Sequence, residues 1–272
     1  MELPLVVSVT SGKGGVGKTN ISANLAYALA KAGRRVLLLD ADLGLANIDV
    51  VLGLTPEYNL FHLLHDHIPL SKIILPTRFG FSILPAASGV SEMLELSPGQ
   101  KLELLDSMDG LEKKFDYLLV DTGAGINDNV LYFNLAAQER IVVLTPEPTS
   151  LTDAYAVIKV MSQQHGVRRF RIVVNLAQDK KNALDVYKRL YNATDHFLDG
   201  ISLDLSGFIP LDTVVRKAVL KQRPFCEEDF NCPASTAVRE LAANLQKWET
   251  PANLDGNIKF FWKKLLFKEN AK

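Results

Sequence analysis

An α/β fold, built on a mostly parallel β-sheet flanked by helices, follows from three observations. Short runs rich in Val, Leu and Ile recur along the chain, segments of helical spacing separate them, and a glycine-rich loop joins the first run to the first helical segment. Strands that alternate with helices need crossover connections and so pair in parallel. A parallel sheet is covered on both faces, and its strands read as unbroken apolar runs. Leu5–Thr10 is the first such run, Ile21–Ala32 has helical spacing, and Arg35–Asp40 is the second run. The pattern continues with strands at Phe81–Leu84, Tyr117–Asp121, Ile141–Thr145, Ile172–Asn175 and Leu205–Ile209. Helical stretches lie at Lys101–Lys114, Leu151–Gln164, Ala183–Thr194 and Thr236–Trp248.

Composition bounds the rest. A chain of 272 residues, 47% apolar, buries a full core. Its 30 Lys+Arg against 31 Asp+Glu give a net charge of −1, which argues against binding nucleic acid by bulk charge. No apolar run reaches the roughly 18 residues of a membrane span, and Met1–Thr10 lacks the basic start and cleavage site of a secretory signal. A cytoplasmic protein is expected. Cys226 and Cys232 are too few for a disulfide framework or a metal site, and His62, His65 and His67 lack a further ligand at fixed spacing. The composition shifts at Glu249–Gly256, which has turn formers and little to bury. This divides the chain into a domain over 1–249, a linker over 250–256 and a tail over 257–272.

Gly12-Lys-Gly-Gly-Val-Gly-Lys-Thr19 fits G-x-x-x-x-G-K-[ST] between a strand and a helix, the setting of a phosphate loop. Its glycines let backbone N–H groups cradle phosphate oxygens, and the helix that follows adds its positive end. Gly12, Gly14, Gly15, Val16, Gly17 and Asn20 line this cradle. Lys18 is expected to neutralise the β and γ phosphates and Thr19 to ligate Mg²⁺, so ATP and Mg²⁺ are the expected cofactors. Asp40, Asp42 and Asp121 fall at the ends of strands, where open α/β sheets place their ligands. Asp121 ends Tyr-Leu-Leu-Val-Asp, a pattern for a carboxylate that serves the metal. Thr122-Gly-Ala-Gly-Ile126 follows as a candidate switch segment.

The second lysine, Lys13, makes the loop K-G-G-x-G-K-T. This resembles the deviant Walker A family, which includes MinD, ParA, the nitrogenase iron protein and the arsenite-pump ATPase. The resemblance implies the MinD/ParA (SIMIBI) type of P-loop NTPase, in which the early lysine reaches across a dimer interface to the partner's ATP. Catalytic roles then fall to Lys13, Lys18 and Asp42, with Asp42 orienting the attacking water. Thr19, Asp40 and Asp121 serve the metal shell, and Asn175, Pro210 and Asp212 lie on the adenine side.

Within that family, Asn20 after Gly-Lys-Thr, Asp40–Leu54, Leu84-Pro-Ala-Ala-Ser-Gly89, Glu147–Tyr155, Val215-Arg-Lys-Ala-Val219 and the tail around Phe260-Phe261 look like the FlhG/FleN flagellar-number regulators. That resemblance implies a slow, dimer-activated ATPase that restricts flagella at the cell pole. Such members bind a flagellar master transcription activator, an AAA+ enhancer-binding protein, and many work with the GTPase FlhF. Some carry an N-terminal extension that stimulates FlhF; this chain starts a few residues before its first strand, which favours the antiactivator type. Direct DNA binding is not expected. The competing readings are a MinD-like division-site ATPase and a nucleotide-sensing repressor whose turnover is incidental.

The tail adds a second expectation. Ile258, Phe261, Trp262, Leu265 and Leu266 form one apolar stripe at helical spacing, with Lys259, Lys263, Lys264 and Lys268 around it. Such a helix is too short to span a bilayer and suits the surface of the inner membrane. Phe260 and Phe267 fall on the opposite face, where they offer a way to dock on the domain when ATP is absent. An ordinary terminal helix packed on the core is the alternative. Residues 257–268 hold four lysines and no acid, so setting them aside from the net of −1 leaves −5 for the rest of the chain, an acidic domain with a basic tail.

Overall fold

A computed structural model describes residues 4–42, 47–85, 105–106, 111–248 and 261–264. Strand β1 (Leu5–Ser11) leads through the glycine loop into α1 (Lys18–Lys31), then β2 (Val36–Ala41). Three short helices follow, α2 (Ile48–Leu52), α3 (Leu60–His65) and α4 (Leu70–Ile73), then β3 (Leu75–Pro76) and β4 (Ser82–Pro85). The middle of the chain forms α5 (Leu111–Lys114), β5 (Tyr117–Ala124), α6 (Asp128–Ala136), β6 (Glu139–Leu144) and α7 (Pro148–His165). The remainder forms β7 (Arg169–Ala177), α8 (Lys180–Phe197), β8 (Ser202–Pro210), α9 (Thr213–Leu220), α10 (Phe225–Glu228) and α11 (Pro233–Leu245).

The sheet runs β3-β4-β2-β5-β1-β6-β7-β8, parallel throughout except for the antiparallel β3–β4 pair. Central strands β1, β2 and β5 are buried along nearly their whole length, as unbroken apolar runs require. Connections from β1 lead to one side and those from β6 to the other. A crevice therefore opens at the carboxyl end of β1, where the glycine loop starts.

All the strands read from the sequence form, as do the helices at α1, α7, α8 and α11. Of the helix expected at Lys101–Lys114, 105–106 and 111–114 are helical and the rest lies outside the described residues. The small helices α2 to α4 escape prediction because four to six residues make too little periodicity to read. One of them has a clear local cause. Asn59 caps α3 by accepting from Phe61 N–H at 3.0 Å, while His62 Nδ1 accepts from Asn59 N–H at 3.1 Å.

Three apolar clusters fill the layers. One packs α1 and α11 on one face of the sheet; another packs α7 and α8 over β6 and β7 on the opposite face. The third, beside it, joins β2 and β5 to α3, α4 and α6, and includes Phe261 and Trp262 of the tail. These two side chains are 1% and 0% exposed, and the Phe261 ring stacks on Phe133 of α6 with centroids 6.3 Å apart. Among the described residues of the tail, Phe261 and Trp262, both of the apolar stripe, are packed into the domain. Ile258, Phe260, Leu265, Leu266 and Phe267 lie outside the described residues, as does the linker over 250–256. No helix among the described residues is long and apolar enough to cross a membrane.

Candidate nucleotide site at the carboxyl edge of the sheet

The loop after β1 is shaped by its glycines and gripped by its neighbours. Gly17 has φ of +91°, a left-handed conformation from which α1 starts, and a Cβ there would meet Asn175 Nδ2 at 2.4 Å. Gly12 is required for a different reason. A Cβ at that position would lie 2.1 Å from the Asp153 carbonyl oxygen in α7. The loop therefore lies against the second turn of α7 on one side and against the end of β7 on the other, where Asn175 Nδ2 donates to Val16 O at 2.7 Å.

Gly14 and Gly15 are exposed, Val16 is buried, and Gly12, Gly17, Thr19 and Asn20 are half-buried. Lys18 opens α1 and is buried close to Asp121 and Asp42. Burial holds its ammonium below the ordinary lysine value, against the pull of those two carboxylates. Lys13 behaves otherwise. Its side chain stands at the rim and donates to Glu147 Oε2 at 2.5 Å and Thr149 Oγ1 at 3.1 Å.

Asp40 and Asp121 sit opposite each other in register on β2 and β5. Asp121 is fully buried and accepts from Ser22 Oγ at 2.8 Å; Thr19 bonds to it as well. Burial raises its carboxyl to about 6, with the Thr19 and Ser22 hydroxyls and Lys18 opposing. Asp40 is raised to about 7, by burial first and Asp121 second. Both its oxygens are engaged by backbone: Asp42 N–H at 3.3 Å on one, Asn47 and Ile48 N–H at 3.1 and 3.2 Å on the other. Asp40 thus anchors the start of α2. Asp42 lies against Gly123, with its Oδ1 3.3 Å from a Cβ built there.

The adenine-side candidates divide. Asn175 supports the loop as described, and Pro210 ends β8. Asp212 caps α9 by accepting from Val214 N–H at 2.9 Å and reaches Ala234 N–H at 3.2 Å. Burial pushes its carboxyl up, but those two N–H groups, together with the Cys232 thiol and the charge of Lys217, hold it below the ordinary value.

Sequence reasoning missed Ser22, although its place three residues after Thr19 puts it on the same helix face. It also missed the polar ladder in which Ser8 Oγ donates to Asn134 Oδ1 at 2.8 Å and Asn134 Nδ2 donates to Thr10 Oγ1 at 3.2 Å. That ladder ties α6 to the strand that carries the loop. No sequence signal marks it, because an asparagine in a helix reads as surface.

A glycine cradle, a buried lysine and a buried carboxylate bonded to the loop threonine define a P-loop site for a nucleoside triphosphate. Comparison with known proteins narrows the class. A family model described as an AAA domain matches residues 5–178. The antiactivator FleN of Pseudomonas aeruginosa is 47% identical over 261 residues, covering 96% of this chain and 93% of the relative. The flagellum site-determining protein YlxH of Helicobacter pylori is 34% identical, covering 96% and 89%. Among solved structures, the septum site-determining protein MinD of Pyrococcus horikoshii complexed with Mg-ADP superposes with a TM-score of 0.71 at 29% identity, covering 90% of this chain and 97% of that one. The chain belongs to the MinD/ParA family of P-loop ATPases and, within it, to the FleN/YlxH group.

Proposed function

We propose that the chain is an ATP-dependent monomer–dimer switch that restricts flagellar number by binding a flagellar master transcription activator and lowering its activity. The observation that carries this reading is the division of labour between the loop's two lysines. Lys18 is buried beside Asp121, where a chelated phosphate belongs, and Lys13 stands at the rim, where a second subunit would meet it. The similarity to an antiactivator over nearly the whole chain supports the choice of partner.

In this mechanism the N–H groups of Gly12–Thr19 bind the phosphates and Lys18 neutralises them. Thr19 and Asp121 are hard oxygen donors already bonded to each other, a donor set that fits Mg²⁺. The bound metal would supply charge for the triphosphate and a fixed position for its γ-phosphoryl group. Asp42 orients the attacking water. Asp40 holds the start of α2 and, with Thr19 and Asp121, serves the metal shell. Asn175, Pro210 and Asp212 form the adenine side, with Asn175 also bracing the loop. Lys13 contacts the partner subunit's nucleotide, so pairing and catalysis depend on each other, and turnover is slow until dimers form.

Reversible membrane attachment belongs to the same reading. Phe261 and Trp262 are buried against α6, so the stripe reaches a bilayer only after this turn is lifted off the domain. Two released tails in a dimer then bind where one does not. FlhF is a further partner in this scheme.

The test is a pull-down with Asp42→Ala protein and ATP, which traps the bound state. The proposal expects a flagellar activator to be retained. Recovery of a septum inhibitor or of DNA in its place would move the protein to the division-site or partition branch of the family. Normal flagellar counts in cells carrying Asp42→Ala would make hydrolysis dispensable and leave a nucleotide-sensing repressor.

A further inference from the structure

Ser22 lies one turn into α1 and is 0% exposed, which puts its hydroxyl out of reach of a phosphate in the crevice. A serine inside a helix commonly bonds back to the carbonyl four residues earlier. This one donates to Asp121 Oδ1 at 2.8 Å. Lys18, Thr19 and Ser22 are related by three and four positions, so one face of α1 presents an ammonium and two hydroxyls to a single carboxylate. Asp121 is 1% exposed on β5, between β1 and β2, where solvent cannot orient it.

The two hydroxyls differ in what else they must do. Thr19 is half-buried, and in the reading above its oxygen serves Mg²⁺ as well as Asp121. Ser22 has no such second duty. We propose that Ser22 is a positioning residue for the metal site: it holds Asp121 Oδ1 whether or not nucleotide is bound, so the carboxylate is already aimed when the metal–nucleotide complex arrives. This rests on the nucleotide reading above and adds to it the residue that aims its buried carboxylate. Ser22 touches neither nucleotide nor metal, and acts by sparing Asp121 a rearrangement on binding. What it sets is how far Mg²⁺ strengthens the hold on ATP. Contacts that the loop and Lys18 make to the phosphates do not depend on it. Losing a group that orients a metal-binding carboxylate lowers metal affinity about 10- to 100-fold.

Titration of full-length protein with a fluorescent, non-hydrolysable ATP analogue, in EDTA and in saturating Mg²⁺, tests this with wild type, Ser22→Ala, Ser22→Cys and Ser22→Thr. The ratio of the two dissociation constants reports what the metal adds, and the solution equilibrium between Mg²⁺ and the analogue is common to all variants. The expected result for Ser22→Ala is an unchanged dissociation constant in EDTA, with the Mg²⁺ enhancement lost or reduced about 10-fold or more. Ser22→Cys fills the same space with a weak donor and should resemble Ser22→Ala, while Ser22→Thr keeps the hydroxyl and should retain most of the enhancement. Melting curves identify a variant that does not fold, and Ser22→Ala with Ser22→Cys decides the matter if the added methyl of Ser22→Thr is not accommodated. A wild-type enhancement in Ser22→Ala, or binding weakened equally in EDTA and in Mg²⁺, overturns the proposal while leaving the nucleotide site in place. Wild-type protein that binds the analogue no better in Mg²⁺ than in EDTA overturns the metal reading, and the proposal with it.

Discussion

Two regions of the sheet, β6 to β8 at one end and β2 with β5 at the other, hold buried charge in opposite ways. At the amino-terminal ends of β6 to β8, Arg171 is 7% exposed and Glu139 4%. Arg171 donates to Glu139 at 3.1 Å and to Asp204 at 3.0 Å, and the Trp248 ring lies over its guanidinium at 4.4 Å. Arg169 adds a third arm to the same pair of carboxylates. At the carboxyl ends of β2 and β5, Lys18, Asp40 and Asp121 are buried with values displaced toward their uncharged forms. The first cluster is electrostatically closed, whereas the second holds charge that burial penalises and that its neighbours only partly compensate. Charge left short of partners at the carboxyl edge of the sheet marks where a triphosphate and a divalent cation would complete the balance.

The contrast is sharpest when one charge is removed from each end. Arg171→Met leaves the buried Glu139 with Arg169 as its one ion-pair partner among the described residues, at 3.8 Å, and breaking such a buried pair costs about 3–5 kcal/mol. For a chain of this size that lowers the melting temperature by roughly 10 °C, with nucleotide affinity of the folded fraction unchanged. Lys18→Ala should do the reverse. Titration with a fluorescent ATP analogue is expected to show affinity reduced about 100-fold or more, since a charge-assisted contact to phosphate is lost, while thermal stability holds. Loss of nucleotide binding in Arg171→Met, or its retention in Lys18→Ala, would break the comparison.

Asp121→Asn probes the uncompensated end directly. Its carboxyl sits at about 6 and that of Asp40 at about 7, both above the ordinary value. The folded chain therefore binds protons more tightly than the unfolded chain between about pH 4 and 7. Stability without nucleotide falls as pH rises through that window and levels off above it. Asp121→Asn should stabilise the nucleotide-free protein on the order of 1–3 kcal/mol at pH 7.5 and flatten the pH profile, while abolishing Mg²⁺-dependent hydrolysis. Melting curves from pH 5 to 8 in the absence of nucleotide check the sign.

Gly12→Ala comes next in size. The added methyl meets the Asp153 carbonyl, and displacing backbone in a packed site costs about 1–3 kcal/mol. Both stability and ATP affinity should fall, since the loop must move off α7. The smallest effect concerns the tail. Full-length protein with ATP should co-sediment with anionic liposomes more than a chain ended after Trp248, and the ADP form should sediment less. Equal sedimentation of the two chains would leave the Phe261–Trp262 turn as ordinary core.

How much of this was legible in the sequence follows the same division. The glycine loop, Lys18, Thr19 and the strand-end aspartates could be read because a phosphate site needs fixed residue types at fixed spacing along one segment. The grip on Lys13 could not be read that way, because Glu147 and Lys13 are 134 positions apart and meet only once β1 and β6 are adjacent. Nor could the three backbone N–H groups that Asp40 accepts from, since their donors, Asp42, Asn47 and Ile48, come to it only through the fold of the segment after β2. The docking face of the tail was also hidden. Helical spacing shows that a stripe exists, and only the packing of Phe133 against Phe261 shows what covers it.

The central claim is that the uncompensated end of the sheet is a nucleotide switch that governs pairing. Light scattering on full-length protein eluting from a size-exclusion column tests it most directly, in ATP with Mg²⁺, in ADP with Mg²⁺ and without nucleotide, with Asp42→Ala included to prevent hydrolysis. The account predicts a dimer only in ATP with Mg²⁺, persistent in Asp42→Ala and absent in Lys13→Ala and Lys18→Ala. A mass that is the same in all three nucleotide conditions would contradict it.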